Sequence, residues 1–194
     1  VRIGGRRARV PVLVTLGVRA NGERVVLDLR LAGEESAASW REVVTSLVAR
    51  HLARPTLAVI DVSFISLKKV LPPVAALLQP GADILALIKP QFEYKDYIPG
   101  GNFKGVVREA ADHRRILAGL LGDITGQLAE WRVAGLDFSP ITGPKGNVEF
   151  LLHLTNRPVE APGAGASVQS GEGSVEKWIE AVITKSNAFF SPGE

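Results

Sequence analysis

Residues 61–93, DVSFISLKKVLPPVAALLQPGADILALIKPQFE, decide the fold of this chain of 194 residues. They follow one short apolar segment, 56–60, and contain a second, 84–88. Short apolar runs bounded by Pro or Gly are typical of buried strands, and the amphipathic stretch between these two predicts a helix over 67–79. Strands that alternate with helices predict an α/β fold with a mostly parallel sheet, covered by helices on both faces.

Charged residues follow these apolar segments. Asp61 ends the first and Lys89 the second, while Glu149 lies at the edge of a third apolar segment, 148–154. Ligands of open α/β sheets bind beyond the carboxyl ends of the strands. The three charges therefore predict one of two things: a structural ion-pair cluster, or a lysine whose pKa is tuned by two acids so that it takes a proton from a substrate hydroxyl.

The rest of the chain is interpreted from periodicity and turn residues. Strands are predicted over 10–18 and 24–31, and Asn21-Gly22 between them favours an N-terminal antiparallel hairpin. Residues 158–174, rich in Gly, Pro and Ala, predict a flexible linker. The other predicted elements are helices over about 33–52, 110–129 and 175–190, a strand over 132–138, and loops over 89–104 and 139–147.

Composition limits the kinds of site that the chain can hold. Cysteine is absent, and the three histidines are scattered, so we expect neither disulfides nor a metal site. The net charge of +3 is compatible with a polyanionic partner without requiring one. No apolar run reaches the roughly 18 residues of a membrane span, and no apolar leader is visible, so we expect a cytoplasmic protein.

Two loops carry cations suited to binding a nucleotide. Lys104 and Arg108 stand in one loop, near Tyr94 and Phe103, and Lys145 stands in the other, among prolines and glycines. Aromatic side chains interleaved with cations are typical of surfaces that stack bases and bind phosphates. Plain turns have the same composition, so the motif is weak by itself.

Three segments together resemble a known family: DVSFISL (61–67), IKPQFE (88–93) and SPITGPKGNVEFLLHL (139–154). In order and spacing they are similar to the TlyA-type, hemolysin-A-like ribosomal RNA 2′-O-methyltransferases of the FtsJ-like family. The resemblance covers about residues 60–154 and implies a Rossmann-like methyltransferase sheet, S-adenosylmethionine as cofactor and ribosomal RNA as partner.

By matching of these segments, Asp61, Lys89 and Glu149 correspond to three members of the family's Lys–Asp–Lys–Glu tetrad. With RNA as the partner that the resemblance implies, the loop cations Lys104, Arg108 and Lys145 are expected to bind it. The implied reaction is in-line transfer of a methyl group to a ribose 2′-oxygen, with the lysine assisting removal of the hydroxyl proton.

The first 60 residues depart from that family. They lack its glycine-rich loop, and no lysine precedes Lys68, so the first tetrad member has no counterpart and no cofactor-binding residue is predicted. Residues 2–60 instead resemble the hairpin and first helix of mutator-type DDE transposases, with Asp61 where that family has its second Asp. This mixture predicts an incomplete methyltransferase sheet and a join at residues 60–61. The predicted parts are 1–60, 61–157, the linker 158–174, and a helix with tail at 175–194.

Three functions follow from these resemblances. The first is an RNA ribose 2′-O-methyltransferase-like protein, truncated or chimeric, and the second is a non-catalytic RNA-binding remnant. The third is a transposase-related fragment, which requires three carboxylates to bind catalytic metal ions. Whether the chain is an enzyme is left open by the sequence.

Overall fold

The computed structural model describes residues 2–3, 6–7, 12–31, 36–158 and 172–190. The chain divides into two compact units, Val1–Ala53 and Arg54–Glu194. The boundary between the units precedes the strand that ends at Ile60, whereas the predicted join follows that strand. Each unit is described by itself.

The first unit contains two antiparallel pairs and one helix. Strands β1 (Arg2–Ile3) and β2 (Arg6–Arg7) form the smaller pair, and β3 (Val12–Val18) and β4 (Arg24–Leu31) form the hairpin. The predicted N-terminal hairpin is therefore confirmed, with Gly22 at a φ of 84° in its turn.

The helix of the first unit, α1 (Ala37–Ala49), begins later than predicted. Ser36 is its N-cap, because its side chain accepts a hydrogen bond from the Ser39 N–H at 3.2 Å. Residues 32–35, which the sequence places in the first turn, lie outside the described residues.

The second unit contains a four-stranded sheet. Its strands are β5 (Leu57–Ile60), β6 (Asp83–Ile88), β7 (Arg132–Phe138) and β8 (Phe150–Thr155), in the order β5-β6-β8-β7. Only β5 and β6 pair in parallel, since β8 is antiparallel to both of its neighbours. The prediction of a mostly parallel sheet is corrected to a mixed sheet, because β7 and β8 are joined as a hairpin, and a hairpin produces antiparallel pairing. The α/β class is confirmed, and the Rossmann-like character remains a prediction.

Four helices accompany this sheet, namely α2 (Leu67–Ala75), α3 (Pro90–Tyr97), α4 (Ala110–Gln127) and α5 (Glu172–Phe190). Helix α4 packs against the other three, and α5 packs on β7. The predicted linker lies outside the described residues over 159–171, whereas residues 172–174 are the start of α5. None of the described helices is long and apolar enough to cross a bilayer.

Two elements of the second unit differ from their predictions. The predicted loop 89–104 contains α3, because Pro90 stands at the first helical position, where its fixed φ suits a helix and its missing N–H is no loss. Helix α2 ends at Ala75 rather than near Gln79, because the N–H groups of Leu77 and Leu78 donate to carbonyls three residues back rather than four. The Gln79 N–H then donates outside the helix, to the Pro55 carbonyl at 3.1 Å.

The helices cover one face of the sheet. The buried face carries side chains that are at most 1% exposed, such as Ile84, Ala86, Phe150 and Leu152. On the opposite face the exposed fractions are 49% for Leu57, 73% for Val59, 42% for Leu85 and 45% for Leu151. The expectation that helices cover both faces is therefore wrong for the described residues, and among these no strand pairs with the outer edge of β5.

Candidate functional site

The adjacent ends of β5 and β6 bring Asp61 and Lys89 together. Because these strands are parallel neighbours, the residues that follow them emerge at the same edge of the sheet. The Lys89 Nζ atom lies 2.5 Å from the Asp61 carboxylate and 3.4 Å from the Ser63 hydroxyl, to which it donates a hydrogen bond. The Lys89 side chain is 14% exposed and that of Asp61 is 64% exposed, so the lysine is the better enclosed partner.

Glu149 reaches the same region but has a different partner from the one expected. It directly precedes β8 rather than lying within the strand, and it is 8% exposed. Its carboxylate accepts a hydrogen bond from the Gln91 side chain at 3.4 Å. Within the described part of the chain, no ion pair joins Glu149 to Lys89. The expectation that both acids pair with Lys89 therefore holds for Asp61 alone, and Gln91 is a site residue that the sequence interpretation missed.

Lys89 and Glu149 line one cleft, the Lys89 cleft, of about 720 Å³. That volume is within the usual range of small-molecule sites. Most of the other lining residues are polar, cationic or aromatic, namely Ser63, Phe64, Gln91, Phe92, Lys95, Phe103, Lys145 and Asn147, and Gly105 and Pro144 complete the lining.

The predicted loop cations differ in their relation to the cleft. Lys145 lines it, and a methyl group added to Gly105 would lie 3.7 Å from the Lys145 Nζ atom. Lys104 and Arg108 are exposed and do not line it, although both neighbours of Lys104 do. Lys95 lines the cleft and was missed. Among the described residues, no carboxylate lies within ion-pair distance of Lys95 or Lys145, so this wall carries uncompensated positive charge.

Asn147 joins the two loops that form one wall of the cleft. It is 2% exposed, its side-chain oxygen accepts the Val107 N–H at 2.9 Å, and its amide donates to the Gly105 carbonyl at 3.0 Å. Gly143 lies close to Glu149 in the same wall, since a methyl group added there would lie 2.6 Å from the Glu149 carboxylate, which would have to shift. The Asn147 contacts join residues 105–107 to the segment of chain that carries Lys145 and Glu149.

Glu93 fixes the helix that begins after Lys89. It is 1% exposed and accepts the Leu67 N–H at 2.8 Å, at the first turn of α2. That N–H has no partner within its own helix, so the carboxylate both satisfies it and ties α3 to α2. Burial raises the pKa of Glu93, and the hydrogen bond from Leu67 partly opposes this effect.

The Glu93 carboxyl makes the stability of the protein depend on pH. Because its pKa is raised above the ordinary value of 4.5, the folded state holds this proton where the unfolded state has lost it. The Glu93 contribution to stability therefore decreases as pH rises through the raised pKa. We expect Glu93→Gln to stabilise the protein most near pH 8, with the gain shrinking towards about pH 5.

Urea unfolding of wild type and Glu93→Gln at several pH values measures this effect. Glu130→Gln is the matched control, because Glu130 is exposed. A difference between wild type and Glu93→Gln that is the same at every pH would contradict the assignment.

No group of three or more His, Cys, Asp or Glu side chains is placed to hold a metal ion in the part of the chain that the structure describes. The charged groups that line the Lys89 cleft are the ammonium of Lys89, the carboxylate of Glu149 and two further cations, Lys95 and Lys145. An ammonium donates hydrogen bonds to hydroxyl and phosphate oxygens, and a carboxylate accepts them.

Comparison with known proteins finds two separate similarities. Residues 1–74 match the family model described as "Transposase, Mutator family". A transposase for insertion sequence element IS406 of Burkholderia multivorans is 39% identical over 61 residues, which are 31% of this chain and 16% of that protein.

The other similarity is to proteins named for ribosomal RNA methylation. "Putative rRNA methyltransferase YqxC" of Bacillus subtilis is 43% identical over 134 residues, covering 69% of this chain and 43% of that protein. The "16S/23S rRNA (cytidine-2'-O)-methyltransferase TlyA" of Mycobacterium tuberculosis is 39% identical over 114 residues, covering 57% of this chain and 41% of that protein. The chain thus spans less than half the length of these relatives.

A solved structure shares the fold. The crystal structure of "a putative hemolysin from Lactococcus lactis" superposes with a TM-score of 0.54 at 35% identity, over 73% of this chain and 60% of that chain. Both resemblances predicted from the sequence are therefore confirmed, the one to TlyA-type and hemolysin-like proteins and the one to Mutator-family transposases.

Proposed function

We propose that the second unit is the RNA-accepting half of a ribosomal RNA ribose 2′-O-methyltransferase. In this role it binds an RNA strand at the Lys89 cleft and holds one ribose hydroxyl beside Lys89. The observation that carries the proposal is the Lys89 ammonium, fixed by Asp61 at 2.5 Å on the wall of an open cleft that Glu149 also lines.

The geometry supports recognition of a ribose hydroxyl in particular. A hydroxyl both accepts and donates, so an ammonium and a carboxylate on one cleft are complementary to it. In this arrangement the Lys89 ammonium donates a hydrogen bond to the 2′-oxygen. The Glu149 carboxylate is available to accept a hydrogen bond from the proton of the same hydroxyl group. The uncompensated charges of Lys95 and Lys145 attract the phosphates on either side. The names of the relatives, which specify rRNA and 2′-O chemistry, support the same substrate.

S-adenosylmethionine, the cofactor implied by the resemblance, does not fit the described residues. Its sulfonium is a cation, and the charged side chains that line the cleft are three cations, Lys89, Lys95 and Lys145, and one carboxylate, Glu149. The glycine-rich loop that approaches the cofactor in the family has no counterpart among residues 36–60, which come before the site. We therefore assign RNA binding and orientation of the hydroxyl to this chain, and we derive no step through the cofactor.

Discrimination between RNA and DNA tests this proposal. We expect the protein to bind a labelled single-stranded RNA about tenfold more tightly than DNA of the same sequence, since DNA lacks the 2′-oxygen that Lys89 contacts. Lys89→Ala should bind the two strands equally. Fluorescence anisotropy at fixed salt measures both affinities.

Lys69→Ala is the matched control, because Lys69 is an exposed lysine that does not line the cleft. It should retain the preference for RNA. The proposal fails if the wild type shows no preference for RNA, or if Lys89→Ala keeps the full preference.

A transposase-related activity is a second candidate, favoured by the family match over residues 1–74, which includes Asp61. Its test is a magnesium-dependent strand-transfer assay in which Asp61→Ala removes the activity. The close pairing of Asp61 with Lys89 favours the first candidate, because a neighbouring ammonium competes with a metal ion for the carboxylate.

A further inference from the structure

The Glu149 carboxylate is held from two sides. Its Oε1 atom accepts the hydrogen bond from the Gln91 amide at 3.4 Å. Gly143 lies beside the same atom, since a methyl group added to this glycine would be 2.6 Å from it. The main chain is fixed as well, because the Glu149 carbonyl accepts the Ser139 N–H at 2.8 Å. These contacts favour a single orientation of the carboxylate in the Lys89 cleft.

The second oxygen of this carboxylate is available to a ligand. Among the described residues, the hydrogen bond from Gln91 is the one that reaches the Glu149 side chain, and it is made to Oε1. An ionised carboxylate accepts on both oxygens, so Oε2 can take a hydrogen bond from a donor in the cleft. The neutral amide suits this arrangement, because a lysine or arginine in its place would pair with the carboxylate and compete with the ligand.

The position of Gln91 is linked to that of Lys89. Lys89 is the N-cap residue of α3, and Pro90 and Gln91 are the first two residues of the helix, so one restricted turn of backbone delivers both side chains. The Gln91 Oε1 atom is buried and has no hydrogen-bond partner in the part of the chain that the structure describes. Turning the amide over would place this oxygen against the Glu149 carboxylate, so the observed orientation is the one that serves Glu149.

From these contacts we propose that Gln91 is a positioning residue, which holds one oxygen of Glu149 so that the other accepts a hydrogen bond from the ribose hydroxyl. This inference rests on the proposed function and adds a determinant of specificity to it. Lys89 recognises the 2′-group as an acceptor, and Glu149, positioned by Gln91, recognises it as a donor. The two contacts act together, since Glu149 reaches only a hydroxyl that Lys89 holds in place.

A strand with 2′-fluorine in place of the hydroxyl tests the proposal, because fluorine accepts a hydrogen bond but cannot donate one. We expect the wild type to bind single-stranded RNA about threefold more tightly than the 2′-fluoro strand of the same sequence, the effect of one ordinary hydrogen bond. Gln91→Met keeps the length of the side chain but lacks the donor. It should bind these two strands equally and still prefer RNA to DNA by about threefold, through Lys89. Fluorescence anisotropy at fixed salt measures the affinities.

Exchanging the two side chains gives a result that a loss of structure cannot imitate. Gln91→Glu should abolish the preference for RNA over the 2′-fluoro strand, because two carboxylates repel each other. Glu149→Gln should abolish it as well, because its amide nitrogen then faces the hydroxyl. The double variant Gln91→Glu/Glu149→Gln should restore the preference. Its carboxylate at position 91 accepts from the amide at position 149 and so turns the amide oxygen towards the hydroxyl.

Gln127→Met is the matched control, because Gln127 is exposed at the end of α4 and does not line the cleft. It should show the wild-type preferences. The inference is overturned, with the proposed function intact, if the wild type prefers RNA to DNA but binds RNA and the 2′-fluoro strand equally, or if Gln91→Met keeps the wild-type preference between these two. A double variant as unselective as the single variants also overturns it. Failure of the wild type to prefer RNA over DNA overturns the proposed function and the inference together.

Discussion

Replacing Phe150 with alanine should destabilise the protein by about 3–5 kcal/mol, the usual cost of removing a fully buried phenylalanine ring. Domains are stable by only about 5–15 kcal/mol, so this single change removes a large share of the total. Urea unfolding followed by circular dichroism measures the loss.

The size of this effect follows from the position of Phe150 at the first residue of β8. Its side chain is 0% exposed, and its strand partners on the two sides are Ile88 and Phe138. The ring also meets the His113 imidazole edge-on, with 5.4 Å between centroids. Burial lowers the pKa of His113, which favours a neutral imidazole in this apolar contact. A cavity here would be surrounded by side chains that cannot move in to fill it.

The same ring determines where the site residues emerge. Glu149 directly precedes Phe150, and Lys89 directly follows its partner Ile88. We therefore expect Phe150→Ala to weaken RNA binding as well. Leu151→Ala is the matched control, because Leu151 is the next residue on the strand and is 45% exposed on the other face. Equal destabilisation by Phe150→Ala and Leu151→Ala would contradict the assignment of Phe150 to the buried core.

Replacing Asn147 with alanine should cost about 1–3 kcal/mol and also open the wall of the cleft. The substitution removes the partner of the buried Val107 N–H and of the partly buried Gly105 carbonyl. The Asn147 side chain would then no longer join the two loops, so the segment that carries Lys145 should lose its fixed position relative to Gly105. Thermal unfolding gives the stability, and anisotropy with labelled RNA gives the loss of affinity.

Two further variants sharpen this prediction. Asn147→Asp keeps the acceptor for Val107 but cannot donate to Gly105, so it should also destabilise the protein. Asn102→Ala is the control, because Asn102 is exposed in the same loop as Gly105, and its effect should be within about 0.5 kcal/mol. If Asn147→Ala loses no more stability than Asn102→Ala, the Asn147 hydrogen bonds do not stabilise the wall of the cleft.

The sequence predicted where the charged residues lie better than it predicted which side chains they contact. Asp61 and Lys89 each follow an apolar segment that forms a strand. Because these two strands are parallel neighbours, the residues after them lie at the same edge of the sheet, whatever their side-chain torsions. Glu149 was expected at the same edge, but its hydrogen bond goes to Gln91. Which side chains meet depends on rotamers and on the helix α3, neither of which an apolar pattern reveals.

Helix α3 was not predicted, because its sequence PQFEYKDY has no apolar face and begins with proline. It is stabilised instead by a tertiary contact, the buried Glu93 at the start of α2. Phe64 was missed for a related reason. Nothing in DVSFISL distinguishes an exposed phenylalanine from a buried one, or indicates that Phe64 has a φ of 61°.

No strand among the described residues pairs with the outer edge of β5, and this has a consequence for handling the protein. The strand exposes Val59 and Leu57 and carries no lysine, proline or bulge, the devices by which natural sheets discourage other chains from adding to them. Such an edge is a template on which a second molecule can continue the sheet. The yield of refolded monomer should therefore fall as protein concentration rises, which light scattering over a dilution series would measure.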